Sequence, residues 1–380
     1  MSLARFLLAA ICLSATLESS LARAGDRSFD AVVQRLNADS YHARDAARQT
    51  LLQAGDQTNS TAQDVIAALQ RGLEHPILEV RLACGELIRQ LEQANIDQQI
   101  ARLLNPRVVA AEIQLPGWTI CSQLLGDDTP ARKHFAALYR QYPTQLKLVE
   151  SPLSMPRVRQ MIANFDPYRI ASEDLNQWTM LLILETLYAS EQTRNLTSRS
   201  CMSLSSSHLG PKAASQQESI ILERIIDHWI VSQRERCPTR ERLLIAMRYD
   251  CHQRAARVCS DVLADPDSAP ETQVMAMLCA SAIELGDCES LIHSRLDDHR
   301  TAHVWHLIAS RKTRIRTQVR DVALALLLHH RGIDPREVGF QELQADPLLI
   351  YRDHSLGFSD DESRERTHHK AMERLFPDKD

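Results

Sequence analysis

The densest group of residues that could do chemistry lies at residues 297–306, with the sequence Asp-Asp-His-Arg-Thr-Ala-His-Val-Trp-His. If this segment is helical, one aspartate and three histidines lie close together on one face: Asp298, His299, His303 and His306. Imidazole and carboxylate groups in such an arrangement can bind a borderline-soft divalent cation. The alternative is a polar loop between two helices with Trp305 as its buried anchor, because no His-Glu-x-x-His motif accompanies the cluster.

A second candidate is a basic run of ten residues that contains no acidic side chain. Its cationic members are Arg311, Lys312, Arg314, Arg316 and Arg320. Such a run could bind an anionic polymer, for example an acidic partner protein or a sulfated glycan. It has no interleaved aromatic residues, so the stacking that supports single-strand nucleic-acid binding is missing. The alternative is a solvated loop.

Motifs for covalent catalysis or phosphate binding are absent from the sequence. Neither G-x-S-x-G nor a Gly-rich phosphate loop occurs. The chain has only 11 glycines, so it has little material for loops that surround a phosphate group. We therefore expect no enzymatic activity and no cofactor.

The first 24 residues have the organisation of an export signal. Arg5 supplies the positive charge, residues 6–17 form a short apolar stretch, and Ala22-Arg23-Ala24 is a small-residue cleavage site. The apolar stretch is too short to cross a bilayer, and no later segment reaches that length without charges. We expect an exported protein, periplasmic or secreted, that is cleaved near Ala24 and has no membrane span.

The net charge and the cysteine content limit the expected partners and the expected number of disulfides. The formal net charge is −5, which gives no reason to expect nucleic acid as a partner. Nine cysteines occur, and eight remain after removal of the signal that contains Cys12. An even number in an exported chain permits one or two disulfides, whereas the wide spacing favours buried thiols for most of them.

The candidate residues above must be positioned by helices. Several of these helices open with the same sequence pattern, a small apolar residue followed by arginine. Superposing residues 43–46 on residues 80–83 gives an offset of 37 residues, and Val319-Arg320 repeats the opening near the C-terminus. We expect Arg44, Arg81 and Arg320 to be structural ties between neighbouring repeats, because the planar guanidinium suits such bridges. Residues 272–276 lie where the opening should recur but lack its arginine.

These patterns predict an all-α fold, a HEAT/armadillo-like α-solenoid of degenerate helical hairpins with irregular loops. The helix at residues 317–332 is apolar on nearly all sides, so we expect it to be an inner helix buried under the following tail. Alternation of basic and other residues predicts an extended segment at 312–317. The predicted regions are a signal peptide at 1–24, HEAT-like repeats at 25–105, a helical middle region at 106–189, a Ser-rich mobile excursion at 190–217, HEAT-like hairpins at 218–332, and a capping tail with an exposed terminal helix at 333–380.

Several patches resemble exported, HEAT-like-repeat proteins of planctomycete bacteria. They are Leu115-Pro-Gly-Trp118, Gly126-Asp-Asp128 with Phe135, residues 317–325, and Asp334-Pro335 with Gly339-Phe340. The resemblance implies a helical-repeat architecture and export, and it implies no particular enzymatic activity.

The function predicted from the sequence is a non-enzymatic, exported helical-repeat scaffold that binds a protein partner through an extended surface. Two alternatives remain open. One is a metal-binding module or metal-dependent enzyme at the Asp/His cluster of residues 297–306. The other is a polyanion-binding module at the basic run of residues 311–320.

Overall fold

The computed structural model describes residues 29–55, 60–151, 153–206, 208–306 and 314–377, and these residues are mostly helical. The prediction of a predominantly α-helical chain is therefore confirmed. Within those ranges, no helix combines the length and apolarity that a bilayer crossing requires. The export signal predicted at residues 1–24 lies outside the described residues. The chain divides into two compact units, one of residues 1–108 with 113–115 and the other of residues 109–112 with 116–380.

The N-terminal unit contains a set of helices around one apolar core. Its helices are α1 Phe29–Gln34, α2 Tyr41–Gly55, α3 Ser60–Gly72 and α4 Leu78–Leu104. Helix α3 packs against both α2 and α4. A Cβ atom at Gly55, residue 15 of α2, would lie 2.7 Å from the side chain of Leu91, residue 14 of α4. The C-terminal end of α2 therefore packs against the middle of α4.

Arg44 and Arg81 are each the fourth residue of a helix, and they make the same pair of hydrogen bonds. Arg44 Nη1 donates to the carbonyl oxygens six and five residues earlier, at 2.7 and 3.0 Å. Arg81 Nη1 donates to the carbonyl oxygens six and five residues earlier, at 2.8 and 3.0 Å. Each guanidinium therefore fixes the turn that precedes its own helix. The prediction that these two arginines bridge neighbouring repeats is wrong, because their bonding partners are local.

The second unit has more and shorter helices, together with two small antiparallel sheets. Its helices are α5 Trp118–Leu125, α6 Thr129–Gln141, α7 Pro143–Val149, α8 Met155–Ala163, α9 Leu175–Leu187, α10 Arg194–Ser205, α11 Gln216–Ser232, α12 Thr239–Arg248, α13 His252–Ala264, α14 Pro270–Ala282, α15 Cys288–His293, α16 Val319–His330 and α17 Asp361–Leu375. Its strands are β1 Thr301–His306, β2 Arg314–Gln318, β3 Ala345–Asp346 and β4 Ile350–Tyr351. Strand β1 pairs with β2, and β3 pairs with β4.

The bond from a fourth helical residue to the preceding turn recurs in this unit. Arg132 Nε of α6 donates to the Asp127 carbonyl at 2.7 Å, and Arg242 Nε of α12 donates to the Cys237 carbonyl at 3.2 Å. In α14, where the sequence lacks the expected arginine, Gln273 Nε2 donates to two carbonyls of the preceding turn, both at 3.1 Å. The side-chain amide of Gln273 thus makes the bonds to the preceding turn that an arginine guanidinium makes in the other helices.

The segment predicted to be a Ser-rich mobile excursion contains a packed helix, so that prediction is wrong. Helix α10 buries five side chains, most of them small: Thr197, Ser200, Cys201, Ser203 and Leu204. Cys201 also forms a disulfide with Cys237, 36 residues later in the chain. Of the buried hydroxyl groups of α10, that of Ser200 donates to the Glu185 carboxyl at 2.7 Å, and side chains of this small size allow close packing.

The region predicted as HEAT-like hairpins at 218–332 is not entirely helical, because β1 and β2 interrupt it. Residues 314–317 are extended as predicted, and they belong to β2. Helix α16 follows directly, and every residue from Val319 to Leu328 is buried. The predicted burial of this inner helix is confirmed. Phe340 and Phe358 of the following tail are buried with ring centroids 5.1 Å apart.

The terminal helix α17 is predicted to be exposed, and this prediction is wrong for the side that faces α16. Arg364 Nε lies 3.1 Å from Asp321 Oδ2, and both side chains are fully buried. His368 Nε2 lies 2.9 Å from Asp321 Oδ1. Arg320 Nη2 donates to Glu365 at 2.7 Å, so its tie joins α16 to the terminal helix rather than to another repeat. The charged composition of α17 had indicated solvent exposure, but these charges are paired across the helix interface.

Replacing Arg81 with Ala should lower the free energy of unfolding by about 1–2 kcal/mol, because two charge-assisted bonds to the preceding turn are lost. Arg89→Ala on the same helix is the matched control, since Arg89 is exposed and pairs only with Glu86. We expect that change to cost less than about 0.5 kcal/mol. Urea unfolding followed by circular dichroism measures both. Equal losses for the two variants would contradict the role of Arg81.

Replacing Arg364 with Ala should lower the free energy of unfolding by about 3–5 kcal/mol, because the buried Asp321 carboxylate loses its main cationic partner. The control is Arg366→Ala, an exposed position of the same helix, for which we expect less than about 0.5 kcal/mol. The measurement is again urea unfolding. A small and equal effect at both positions would show that Asp321 does not depend on Arg364.

Candidate functional sites

The predicted metal cluster is not assembled, because its segment is a strand rather than a helix. His303 and Trp305 lie on the inner face of β1, whereas Val304 and His306 lie on the outer face. His299 precedes the strand and is exposed. In the part of the chain that the structure describes, no three His, Cys, Asp or Glu side chains are grouped so that they could hold a metal ion.

Asp298, the proposed fourth ligand, is bonded to an arginine instead. Its carboxylate accepts from Arg300 Nε at 3.0 Å and from Arg300 Nη2 at 2.7 Å. Burial raises the pKa of Asp298, but the Arg300 hydrogen bonds outweigh that effect and the pKa is lowered. Arg300 also donates to the Ser268 carbonyl at 3.1 Å. The Asp298–Arg300 pair holds the residues that lead into β1, and the guanidinium balances the charge of the carboxylate.

His303 faces a largely buried carboxylate, that of Asp353. His303 Nε2 lies 3.2 Å from Asp353 Oδ2, and Arg240 Nη2 of α12 donates to the same oxygen at 2.8 Å. His354 Nδ1 lies 3.2 Å from the other oxygen. Burial raises the pKa of Asp353, but the bonds to His303 and Arg240 hold it well below its usual range. Asp353 therefore connects the β1–β2 hairpin to α12 by charge, which is a structural role.

The basic run is only partly available for binding. Arg311 and Lys312 lie outside the described residues. Arg316 Nη2 forms an ion pair with Asp361 at 2.8 Å, and Arg320 is paired and buried. Arg314 is exposed, and no hydrogen bond or ion pair joins its side chain to another described residue. In the described part of the run, Arg314 is the cation that remains free for a ligand.

A charged cleft of about 530 Å³ lies between α11 and α13, and no motif in the sequence predicted it. Arg254 makes a bidentate pair with Asp227 at 2.9 and 2.8 Å. Arg224, also on its wall, makes a bidentate pair with Asp128 at 3.0 and 2.8 Å. Because the strongest charges of the cleft compensate one another, it has no pronounced preference for an ion of either sign.

The N-terminal unit has an exposed apolar stripe, which we define as Tyr41, Leu78 and Leu82. These side chains are 67%, 53% and 64% exposed. Tyr41 and Leu78 are the first residues of α2 and α4, so they occupy equivalent positions of the two helices. Leu82 follows Leu78 by one helical turn and lies on the same face. Exposed apolar residues that recur at equivalent repeat positions are typical of an interaction surface.

The core of the second unit contains a buried carboxyl group that was not among the candidate residues predicted from the sequence. Glu185 of α9 is fully buried, and it accepts bonds from Ser200 Oγ and Trp229 Nε1, both at 2.7 Å. Burial raises the pKa of Glu185 from 4.5 to about 7, although both hydrogen bonds favour the charged form. Gln233 Nε2 donates to the Glu185 carbonyl at 2.9 Å. This carboxyl thus joins α9, α10 and α11 and changes its charge near neutral pH.

No protein-family model, curated protein or solved structure matches this chain. Its function must therefore be inferred from its own residues and their geometry.

The ionisation of Glu185 should make stability fall as pH rises. The folded state holds this proton more tightly than the unfolded chain, so the contribution is complete below pH 4.5 and is lost as pH rises through about 7. The pKa difference corresponds to about 3 kcal/mol. In Glu185→Gln this decline should be largely absent, because the amide does not ionise. Urea unfolding between pH 4.5 and 8.5 tests this, and parallel pH profiles for the two proteins would contradict it.

Proposed function

We propose that this chain is a non-enzymatic, exported scaffold with a HEAT/armadillo-like α-solenoid architecture, and that it binds a protein partner through the apolar stripe of its N-terminal unit. The observation that carries the proposal is the exposure of Tyr41, Leu78 and Leu82 near the N-terminal ends of α2 and α4. In repeat proteins such equivalent positions form extended binding surfaces.

The repeat architecture has two lines of support. Helices α2 and α4 begin 37 residues apart, a spacing that suits two-helix repeats of this class. Arg44 and Arg81, also 37 residues apart, each donate to the carbonyl oxygens six and five residues earlier. Equivalent residues with equivalent bonds are what repetition of one structural unit produces.

The choice of a protein partner rests on the chemistry of the stripe. Two leucines and a tyrosine offer apolar area and little charge, which suits the apolar side chains of another protein better than a polyanion. Burying one such leucine in an interface contributes about 1.5–3 kcal/mol. Three neighbouring side chains can therefore give a measurable affinity without any reactive group.

The two alternatives have less structural support. A metal site would require His299, His303 and His306 to converge, but β1 directs His303 and His306 to opposite faces. A polyanion site would require an unpaired run of cations, but Arg316 is bound to Asp361.

Site-specific photo-crosslinking in the native host tests the proposal. A photoreactive amino acid at position 82 should give a reproducible covalent adduct with one protein, identified by mass spectrometry. Position 95 is the matched control, because Asn95 is exposed on the other side of the same helix. Adding Tyr41→Asp should lower the adduct yield about tenfold or more, because it places a charge in the apolar interface.

The thermal unfolding midpoint of Tyr41→Asp should match that of the parent protein, because the side chain is exposed. Absence of an adduct at position 82, or the same adducts from position 95, would contradict the proposed partner face.

A further inference from the structure

Strand β1 is an edge strand whose outer side is unpaired. Its neighbour β2 is bonded on both sides, to β1 and to Phe358, where Arg316 N donates to the Phe358 carbonyl at 2.9 Å and Phe358 N donates back at 3.0 Å. Strand β1 pairs with β2 alone, and no backbone hydrogen bond joins its outer edge to another described segment. A row of free N–H and C=O groups is a template for an additional strand.

The sequence of β1 lacks most of the devices that protect such edges. Proteins commonly place lysine or proline on an exposed edge strand. The six residues of β1, Thr-Ala-His-Val-Trp-His, include neither. A register irregularity lies between Thr301 and His303, but residues 303–306 pair regularly with β2. Val304 is 43% exposed on the outer face. Within residues 303–306, Val304 and His306 direct their N–H and C=O groups to this edge, because Arg316, which lies opposite Val304, is bonded to Phe358 instead.

The charges around this edge favour an acidic ligand. Nearby carboxylates are already compensated, since Asp361 pairs with Arg316 and Asp353 pairs with Arg240. His306 and Arg314 are opposite each other in the hairpin and both are exposed. Neither has an acidic partner in the described part of the chain. In the described part of the hairpin, the unpaired guanidinium of Arg314 therefore lies beside the imidazole of His306.

We propose that β1 binds an extended, acidic peptide segment of a partner protein, which adds to the hairpin as a further strand. Backbone hydrogen bonds to the outer edge hold the segment, and Arg314 with His306 selects for its carboxylates. This site lies in the second unit, and it does not depend on the partner face proposed for the N-terminal unit.

The test uses the full-length mature protein and a fluorescent octapeptide of alternating Glu and Val. Anisotropy measures binding, and hydrogen exchange monitored by mass spectrometry follows the β1 amides. We expect saturable binding with slower exchange of the Val304 and His306 amides, which face the outer edge. A peptide of the same sequence that is N-methylated at every residue should bind at least tenfold more weakly, because it has no backbone donors. An alternating Lys and Val peptide should bind no better than the methylated one.

Substitution separates the charge contribution from the backbone contribution. Arg314→Ser should weaken binding about threefold or more and reduce its dependence on salt. Arg257→Ser is the control, because Arg257 is also exposed in the second unit but lies on α13. That variant should bind as the parent does, and both variants should unfold at the parent temperature.

Four outcomes would overturn the proposal. The first is slow exchange of the Val304 and His306 amides in the free protein, which would mean that the chain covers its own edge. The second is equal binding of the methylated peptide. The third is binding of a sulfated oligosaccharide through Arg314 with no binding of the peptide, which would indicate a polyanion site. The fourth is a concentration-dependent dimer, seen by light scattering, that excludes the peptide and would identify a second copy as the occupant.

Discussion

The buried carboxylate of Asp321 is the interaction on which the C-terminal part of the second unit depends. Transfer of a carboxylate from water to a protein interior costs several kcal/mol unless its oxygens are fully bonded. Here the backbone N–H of Gln318 donates to the carboxylate at 2.8 Å. The side chains of Arg364 and His368, both on α17, lie 3.1 and 2.9 Å from its oxygens. Helix α16 can therefore be buried on every side only while α17 is docked. The terminal helix is part of the core structure, although its composition is that of a surface helix.

The local features of the fold could be predicted from the sequence, because local features depend on near neighbours. Apolar spacing predicted the helices and the all-round burial of α16, and repetition identified Arg44 and Arg81 as equivalent residues. The partners of Arg320 could not be predicted in this way. Its acceptor Glu365 lies 45 residues further along the chain, and nothing near Arg320 in the sequence indicates that distance. The equivalent role of Gln273 was also hidden, because an amide replaces the guanidinium.

The candidate sites were harder to predict, because their geometry depends on non-local pairing. A run of six residues containing two histidines and a tryptophan is compatible with helix or strand, and pairing with residues 314–318 decides between them. The prediction of a mobile segment around α10, which was based on composition, was wrong for a related reason. Serine and threonine indicate a loop when they are solvated, but Ser200 is bonded to a buried carboxyl group and the neighbouring Cys201 is crosslinked. The apolar stripe could have been found by comparing the first residues of the repeated helices.

The disulfide between Cys201 and Cys237 joins two of the eight cysteines in the described residues, and its stability against exchange depends on where the other six lie. The described residues contain six further cysteines, all of them free and buried: Cys84, Cys121, Cys251, Cys259, Cys279 and Cys288. While the chain is unfolded, every one of these thiols is accessible to an oxidant and can form a wrong pair by exchange. In the folded protein all six are enclosed by helices, so exchange between these thiols and the Cys201–Cys237 disulfide requires the core to open.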